Sequence, residues 1–432
     1  MSFEIDIEWP SSEAGRGGDV ADVRLLAHTH LLTQNFEPAT RRYRDSFRAS
    51  VASLAFWFAD NWWRLRWESL GAPSLATIDW RLRHEMSSGA GNELWPPVMI
   101  YGSGPRVMLA PSLGRRRQDS EPVYLDQKPV SLLGAEYEEG VDHFFERVLQ
   151  QCASHADAEA LRALIAQLTT EREDDELAGW RRLEACLGFD PDKAPDEVVE
   201  ALIDREDEFG GEAIEEAAAA APGETSAVVL ATALDAARSA NLVVDLSAVA
   251  ATPGIPDPHG QLPWRAAEEA ADALRGTLGL PSVIDGDVLA QLLNTRWADL
   301  KSATATARNL PYAVRAPGEA GRSHLALKMI PQIDRRFELA RVIGDAMWTR
   351  GQGLGVVSRT RTDRQKYQRA FAQSLLCPMG SLRRTIDFDN PTEEQIREAA
   401  ARQGVRESVI TTILVNRGIL PRENWADLVE AA

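Results

Sequence analysis

Cysteine is scarce. The 432-residue chain has three, Cys152, Cys186 and Cys377, with no CxxC pair, which excludes a disulfide framework or a zinc ribbon. This usage fits a reducing cytoplasm, the expected location. Long apolar runs are also missing: nothing approaches the roughly 18 to 20 residues a membrane-spanning helix needs, so no membrane partner is expected. The opening "MSFEIDIEWPSSEAGRGG" alternates and then breaks at Pro10, as a strand and loop do and a signal peptide does not. Cations are in deficit, with 47 Lys and Arg against 65 Asp and Glu, a net charge of -18. That excludes a general nucleic-acid coat or a membrane-surface protein, since both rely on excess positive charge. GxSxG nucleophile elbows are absent. The single "GSGP" lacks the Gly-Lys-Ser/Thr of a phosphate-binding loop and precedes a strand, so it is expected to be a turn.

What the chain does contain is length and periodicity. At 432 residues and 44% hydrophobic content it is long enough for two to four globular domains. Three segments are expected: an N-terminal α/β domain over 1–150, an acidic helical segment and linker over 151–250, and a C-terminal domain over 251–432. The fold class predicted is α+β, mostly helical and multidomain.

From Thr40 to Leu70, Phe47, Val51, Leu54, Phe58, Trp62 and Leu65 recur at threes and fours, which predicts one long helix with a broad apolar face. Trp57, Trp62, Trp63 and Trp67 crowd it, and Arg64 and Arg66 lie among them. Such a cluster either stacks the bases of a single strand or forms a core, and the area that aromatics bury favours the core. Two apolar runs, Pro97 to Tyr101 and Arg106 to Ala110, flank "GSG" and predict a hairpin. Asp60, Asp79 and Glu85 are the candidates for a nuclease-like carboxylate cluster, though no E/DxK spacing near a strand accompanies them. His28 and His30 supply at most half a metal site.

The middle of the chain is acidic. Between Glu171 and Glu216 stand 18 Asp and Glu against 5 Lys and Arg, with none of the offsets of a calcium loop. A solvated helix face is expected.

From Pro263 the order is helix, a Gly-Leu-Pro stop, a second helix opened by Asp285 and Asp287, the strand "SHLALKMI", the helix "RRFELARVIGDAMW", and the helix "DRQKYQRAFAQSLLCP". This order and wording over residues 263–420 resemble the ImmA/IrrE-type metallopeptidases of prokaryotes, in which the first of those last two helices carries HExxH and the second supplies the third zinc ligand. The framework matches at "RRFELA", Gly344 and "AFAQSLLCP". The resemblance places Arg341 and Asp345 at the two histidine positions, Val342 at the general-base glutamate and Gln365 at the third ligand. Arginine has no lone pair for a cation, valine moves no proton, and a catalytic zinc needs three protein ligands. No metal, cofactor or catalytic residue is therefore expected, and zinc peptidase activity is not. Arg341 and Asp345 keep i, i+4 spacing and are expected to pair with each other.

A scaffold without its chemistry implies binding. Residues 331–384 hold eleven Lys and Arg against four Asp and Glu, a basic island in an acidic chain. Arg335, Arg336, Arg359, Arg361, Arg364, Lys366 and Arg369 are the candidate contacts for an anionic partner. That partner is a protein, a nucleic acid, or the chain's own acidic residues 171–216. The tail "PTEEQIREAAARQGVRESVITTILVNRGIL" opens with a capping box, Thr392 with Gln395, and has a helix-turn-helix outline with Arg406, Thr411, Thr412 and Asn416 on its second helix. The function expected is that of an inactive, metallopeptidase-like binding or regulatory subunit. The resemblance implies prokaryotic stress response, mobile-element control or phage defence. The alternatives are a DNA-binding transcriptional regulator and an enzyme whose activity resides in the N-terminal region.

Overall fold

A computed structural model describes residues 2–9, 19–71, 77–91, 93–112, 122–125, 128–151, 157–240, 242–302, 310–328 and 330–421. The loop after Pro10 and Cys152 lie outside the described residues, whereas Cys186 and Cys377 are buried. Among the described residues, no helix is long and apolar enough to cross a membrane.

The chain is a mostly helical α+β protein divided into two compact units: residues 1–70 with 75–194, and 195–432 with 71–74. The division at Ala194 and Pro195 falls inside the segment expected to run from 151 to 250. Packing explains it: Leu161, Leu168 and Ala185 join the core of the first unit, while helices 211–220 and 226–239 pack on the sheet of the second.

In the first unit, strand β1 (Phe3–Glu8) pairs antiparallel with β2 (Val20–Ala27), and β2 pairs with β3 (Phe47–Ser50). Alternate residues Phe3, Ile5 and Ile7 point into the core, as period-2 patterning requires. The long helix expected over 40–70 is corrected here. Residues 47–50 are a strand, because pairing Phe47 with Val23 buries both. Helix α1 (Val51–Asp60) then starts at Ser50, whose hydroxyl accepts from the Ser53 N–H. It stops at Asn61, whose side-chain amide donates to the Trp57 carbonyl at 2.7 Å. Helix α2 (Trp62–Trp67) follows. The apolar face read from spacing is real, since Phe47, Val51, Leu54, Phe58, Trp62 and Leu65 all lie in one core. The expected hairpin forms as β4 (Val98–Gly102) against β5 (Arg106–Pro111), with β6 (Val130–Leu133) beyond it. Gly104, at φ 78°, makes the turn. Helices α3 (Gly134–Gln151), α4 (Ala158–Glu173) and α5 (Asp175–Cys186) complete this unit's core.

The second unit places helices around a four-stranded antiparallel sheet. Its strands in spatial order are β7 (Val243–Asp245), β9 (Arg322–Ala326), β8 (Ala313–Pro317) and β10 (Gly355–Val357). Helices α6 (Gly211–Ala220) and α7 (Ser226–Ser239) come from the acidic half of the chain. Helix α8 (Pro263–Leu278) ends on Gly279 in the left-handed region, φ 58°, the expected stop. It packs on α10 (Asp363–Leu376), which also packs on α9 (Gln332–Trp348). Gly344 permits that approach, because a Cβ there would sit 2.9 Å from the Phe371 ring. The tail forms α11 (Glu393–Gln403) and α12 (Glu407–Asn416), with the Thr392–Gln395 capping box in place.

Candidate functional site

Helices α9 and α10 bring together three of the four positions where metal chemistry would sit. Arg341 is buried on α9, and one guanidinium nitrogen, Nη2, donates to the Ser358 carbonyl at 2.6 Å, to Gln365 Oε1 at 2.7 Å and to Gln368 Oε1 at 3.3 Å. Gln365 uses its amide nitrogen for the Val356 carbonyl at 2.8 Å and for Glu216 Oε2 at 2.9 Å. Asp345, fully buried one turn further along α9, accepts from Arg364 Nε and Gln368 Nε2, each at 2.8 Å, and from Arg315 Nη2 at 3.3 Å. Val342 does not join them. It is buried in the hydrophobic core.

The expected Arg341–Asp345 pairing is corrected. The two residues share Gln368 as a neighbour and attract through space, but the cations hydrogen-bonded to Asp345 come from β8 and α10, as Arg315 and Arg364. A pair along an exposed helix would contribute only about 0.2–0.5 kcal/mol. A buried carboxylate needs direct, hydrogen-bonded cations, and tertiary neighbours supply them.

The electrostatics follow from burial. Desolvation lowers the Arg341 guanidinium to about 10, and it also lowers Arg315 despite Asp345 beside it. Burial opposes the charge of Arg364 too, but Asp345, supported by Glu212, holds its pKa above the usual arginine range. Glu216 on α6 is fully buried, and desolvation raises its carboxyl to about 7 although Arg364 pulls the other way. Glu212, one turn earlier, accepts from the Trp348 indole at 2.8 Å. The C-terminal end of the acidic stretch thus sits against the Arg341–Gln365–Asp345 cluster of its own unit.

Gly355 makes room for this arrangement. It faces Arg315 across the β8–β10 pairing, and a Cβ there would lie 2.3 Å from Asp345 Oδ2 and 3.0 Å from Arg315. The Arg341 Nη2, Gln365 and Asp345 polar atoms converge on one another's neighbours and on strand carbonyls, while Arg341 Nε has no hydrogen-bond partner among the described residues. Among the described residues, no group of three His, Cys, Asp or Glu is placed to hold a metal ion.

The expected basic binding face is corrected as well. Arg335 is buried, pairs with Glu338 and donates to the Lys328 carbonyl at 2.5 Å. Arg364 is consumed by Asp345 and the Leu354 carbonyl, and buried Arg369 donates to the Thr360 carbonyl at 3.0 Å. Half-buried Arg336 donates to the Gly404 carbonyl at 3.0 Å, and Lys366 pairs with Asp363 at 3.1 Å. Arg361 is half-buried, and Arg359 alone of the seven is exposed. These arginines were expected to contact an anionic partner; most of their guanidiniums instead satisfy strand and loop carbonyls inside the unit.

The tail is similarly occupied. Arg406 makes a bidentate contact with Asp334, both bonds at 2.5 Å. Thr412 is buried, and Thr411 bonds back to the Glu407 carbonyl. In the first unit Asp79 pairs with Arg64 at 2.9 Å and Glu85 with Arg81 at 2.7 Å, while burial raises the carboxyl of Asp60. Asp79 and Asp60 both lie near Arg83, the first at 3.9 Å and the second through space, whereas Glu85 pairs apart from them with Arg81.

Sequence reasoning missed Arg315, Gln368 and Glu216. Arg315 had a signal: it is the one charged residue in the buried strand "AVRAP", and a charge on a central strand demands a buried partner. Glu216 had none within its alanine-rich run. Comparison with known proteins returns no matching family model, no matching curated protein and no matching solved structure.

Proposed function

We propose that residues 263–420 are a degenerate ImmA/IrrE-type metallopeptidase domain that has lost zinc and catalysis, and that the chain acts as a binding or regulatory subunit. The observation that carries this reading is the 2.7 Å bond between Arg341 and Gln365. The first-ligand position on one helix and the third-ligand position on the next converge, as a metal site requires, yet a permanent cation takes the place of the metal. The resemblance implies a setting of prokaryotic stress response, mobile-element control or phage defence. A protein partner fits better than a nucleic acid. Most of the arginines that would grip phosphate are turned to carbonyls and carboxylates of their own unit, and salt-dependent phosphate binding needs them free.

Metal analysis tests the first half of the proposal. Protein purified without added metal is expected to carry far less than one zinc per chain, and stoichiometric zinc would sink the pseudoenzyme reading. Affinity capture of the tagged full-length chain from its native host tests the second half. A stoichiometric protein that survives nuclease treatment is expected. Nucleic acid recovered at low salt and lost at high salt would favour the DNA-binding regulator instead.

A further inference from the structure

Glycines flank helix α6 at both ends. Gly210 precedes it at φ 85° and Gly223 follows its end at φ 96°, and a Cβ at either would meet nothing within 4 Å. Glycine stands there for backbone freedom rather than for space. Between these joints the helix reads GEAIEEAAAA, and its buried face consists of Ala213, Ile214, Glu216, Ala217 and Ala218. Among the four apolar residues only Ile214 exceeds a methyl group, and none of them belongs to the hydrophobic core that joins α8, α9 and α10. Burial contributes about 25 cal/mol per Å² of apolar surface, so a face this small holds its helix weakly.

The polar contacts of α6 are directed at two other helices. Glu212 accepts from the Trp348 indole of α9 at 2.8 Å, and Glu216 accepts from the Gln365 amide of α10 at 2.9 Å. Residues four apart share a helix face, so both carboxyls enter one cleft, Glu216 at its buried bottom and Glu212 at its exposed mouth.

That cleft is cationic. Arg315, Arg341 and Arg364 surround one carboxylate from their own elements, Asp345, since Glu338 is paired with Arg335. Three cations against one anion leave two unanswered. Glu212 and Glu216 both act on Arg364, and Glu216 acts on Arg341 as well. An acidic helix is therefore what the cleft accepts, and α6 supplies one from within the chain.

We propose that α6 is a displaceable occupant of this cleft, swinging out on Gly210 and Gly223, and that the cleft then receives a partner protein's helix bearing two carboxyl groups four residues apart. This rests on the reading of the chain as a binding subunit and gives that partner its chemistry.

The test uses the full-length chain. Hydrogen exchange at neutral pH is expected to show the amides of α6 exchanging about a hundredfold or more faster than those of α9 and α10, as an element that opens by itself does. Ile214→Asp puts a charge at the one large apolar anchor and is expected to hold α6 out while the unit keeps a cooperative thermal transition. A fluorescein-labelled peptide of residues 206–224 is expected to bind this variant, by anisotropy, about tenfold or more tighter than it binds the parent chain. The same peptide carrying Glu212→Gln and Glu216→Gln is expected to bind the variant about tenfold or more weaker, and a single-stranded oligonucleotide is expected not to displace either. Amides of α6 that exchange only together with those of α9 and α10, no peptide binding by the folded variant, equal binding of both peptides, or displacement by the oligonucleotide would overturn the proposal. If the variant does not fold, exchange in the parent chain decides. Stoichiometric zinc would sink the pseudoenzyme reading without altering these outcomes, and failure here leaves the zinc result unchanged, so the two are told apart.

Discussion

Glu216 illustrates how one buried side chain can set the behaviour of a site. Thr362, Gln365, Arg364 and Glu212 surround its carboxyl, and desolvation outweighs Arg364 to raise it from 4.5 to about 7. A raised carboxyl means that the folded chain holds a proton the unfolded chain has already released. Stability from this group is therefore greatest below about pH 4.5 and declines as pH rises towards and past 7. One pKa unit corresponds to about 1.4 kcal/mol, so the whole effect is at most about 3 kcal/mol. Glu216→Gln keeps the shape and removes the titration. Urea unfolding of both proteins at pH 5.5 and pH 8 is expected to show the variant gaining on the parent at the higher pH. A difference that stays the same at both values would mean that Glu216 is not protonated in the folded state.

Elements meet here through absent side chains. Two glycines set the distances: Gly344 lets α9 approach Phe371 on α10, and Gly355 lets β10 pass over the Asp345 carboxylate. Gly355→Ala is expected to destabilise the second unit by about 1–3 kcal/mol, the usual range for overpacking, because its Cβ collides with an oxygen already fixed by Arg364 and Gln368. Gly380→Ala is the control. Nothing lies within 4 Å of a Cβ there, and the change is expected to be neutral or mildly stabilising through the unfolded chain. Denaturant midpoints measured side by side decide the matter, and equal midpoints for both variants would show that the Asp345 network yields at little cost.

At the scale of the molecule, each unit carries its own hydrophobic core. Every residue of one core precedes residue 186, and every residue of the other follows residue 241. A fragment spanning 195–432 is therefore expected to fold without the rest, since domain boundaries fall where few contacts cross. Cooperative thermal unfolding of that fragment checks it, and a molten, aggregating fragment would show that the second unit depends on the first. Most helix positions were legible beforehand: α8 with its Gly279 stop, α9, α10 and the capped α11 all follow from periodicity and end signals. The single helix expected over 40–70 was not, because Phe47 satisfies a helical spacing and a strand register equally well, and only the presence of β2 selects the strand.

The sequence by itself determined that the chain has no HExxH motif, because residue types are fixed whatever the fold. It also determined the apolar faces, since burial of the hydrophobic stripe is the dominant local requirement. Tertiary structure alone decided where the charges go. The basic island read as a binding surface became an interior network: Arg315, whose burial the strand "AVRAP" signals without naming its partner, and Glu216 from a distant helix, which no local pattern signals, supply the neighbours that a desolvated guanidinium or carboxylate requires. Burial is a property of the packed chain, and it determines whether an arginine meets a partner or its own backbone.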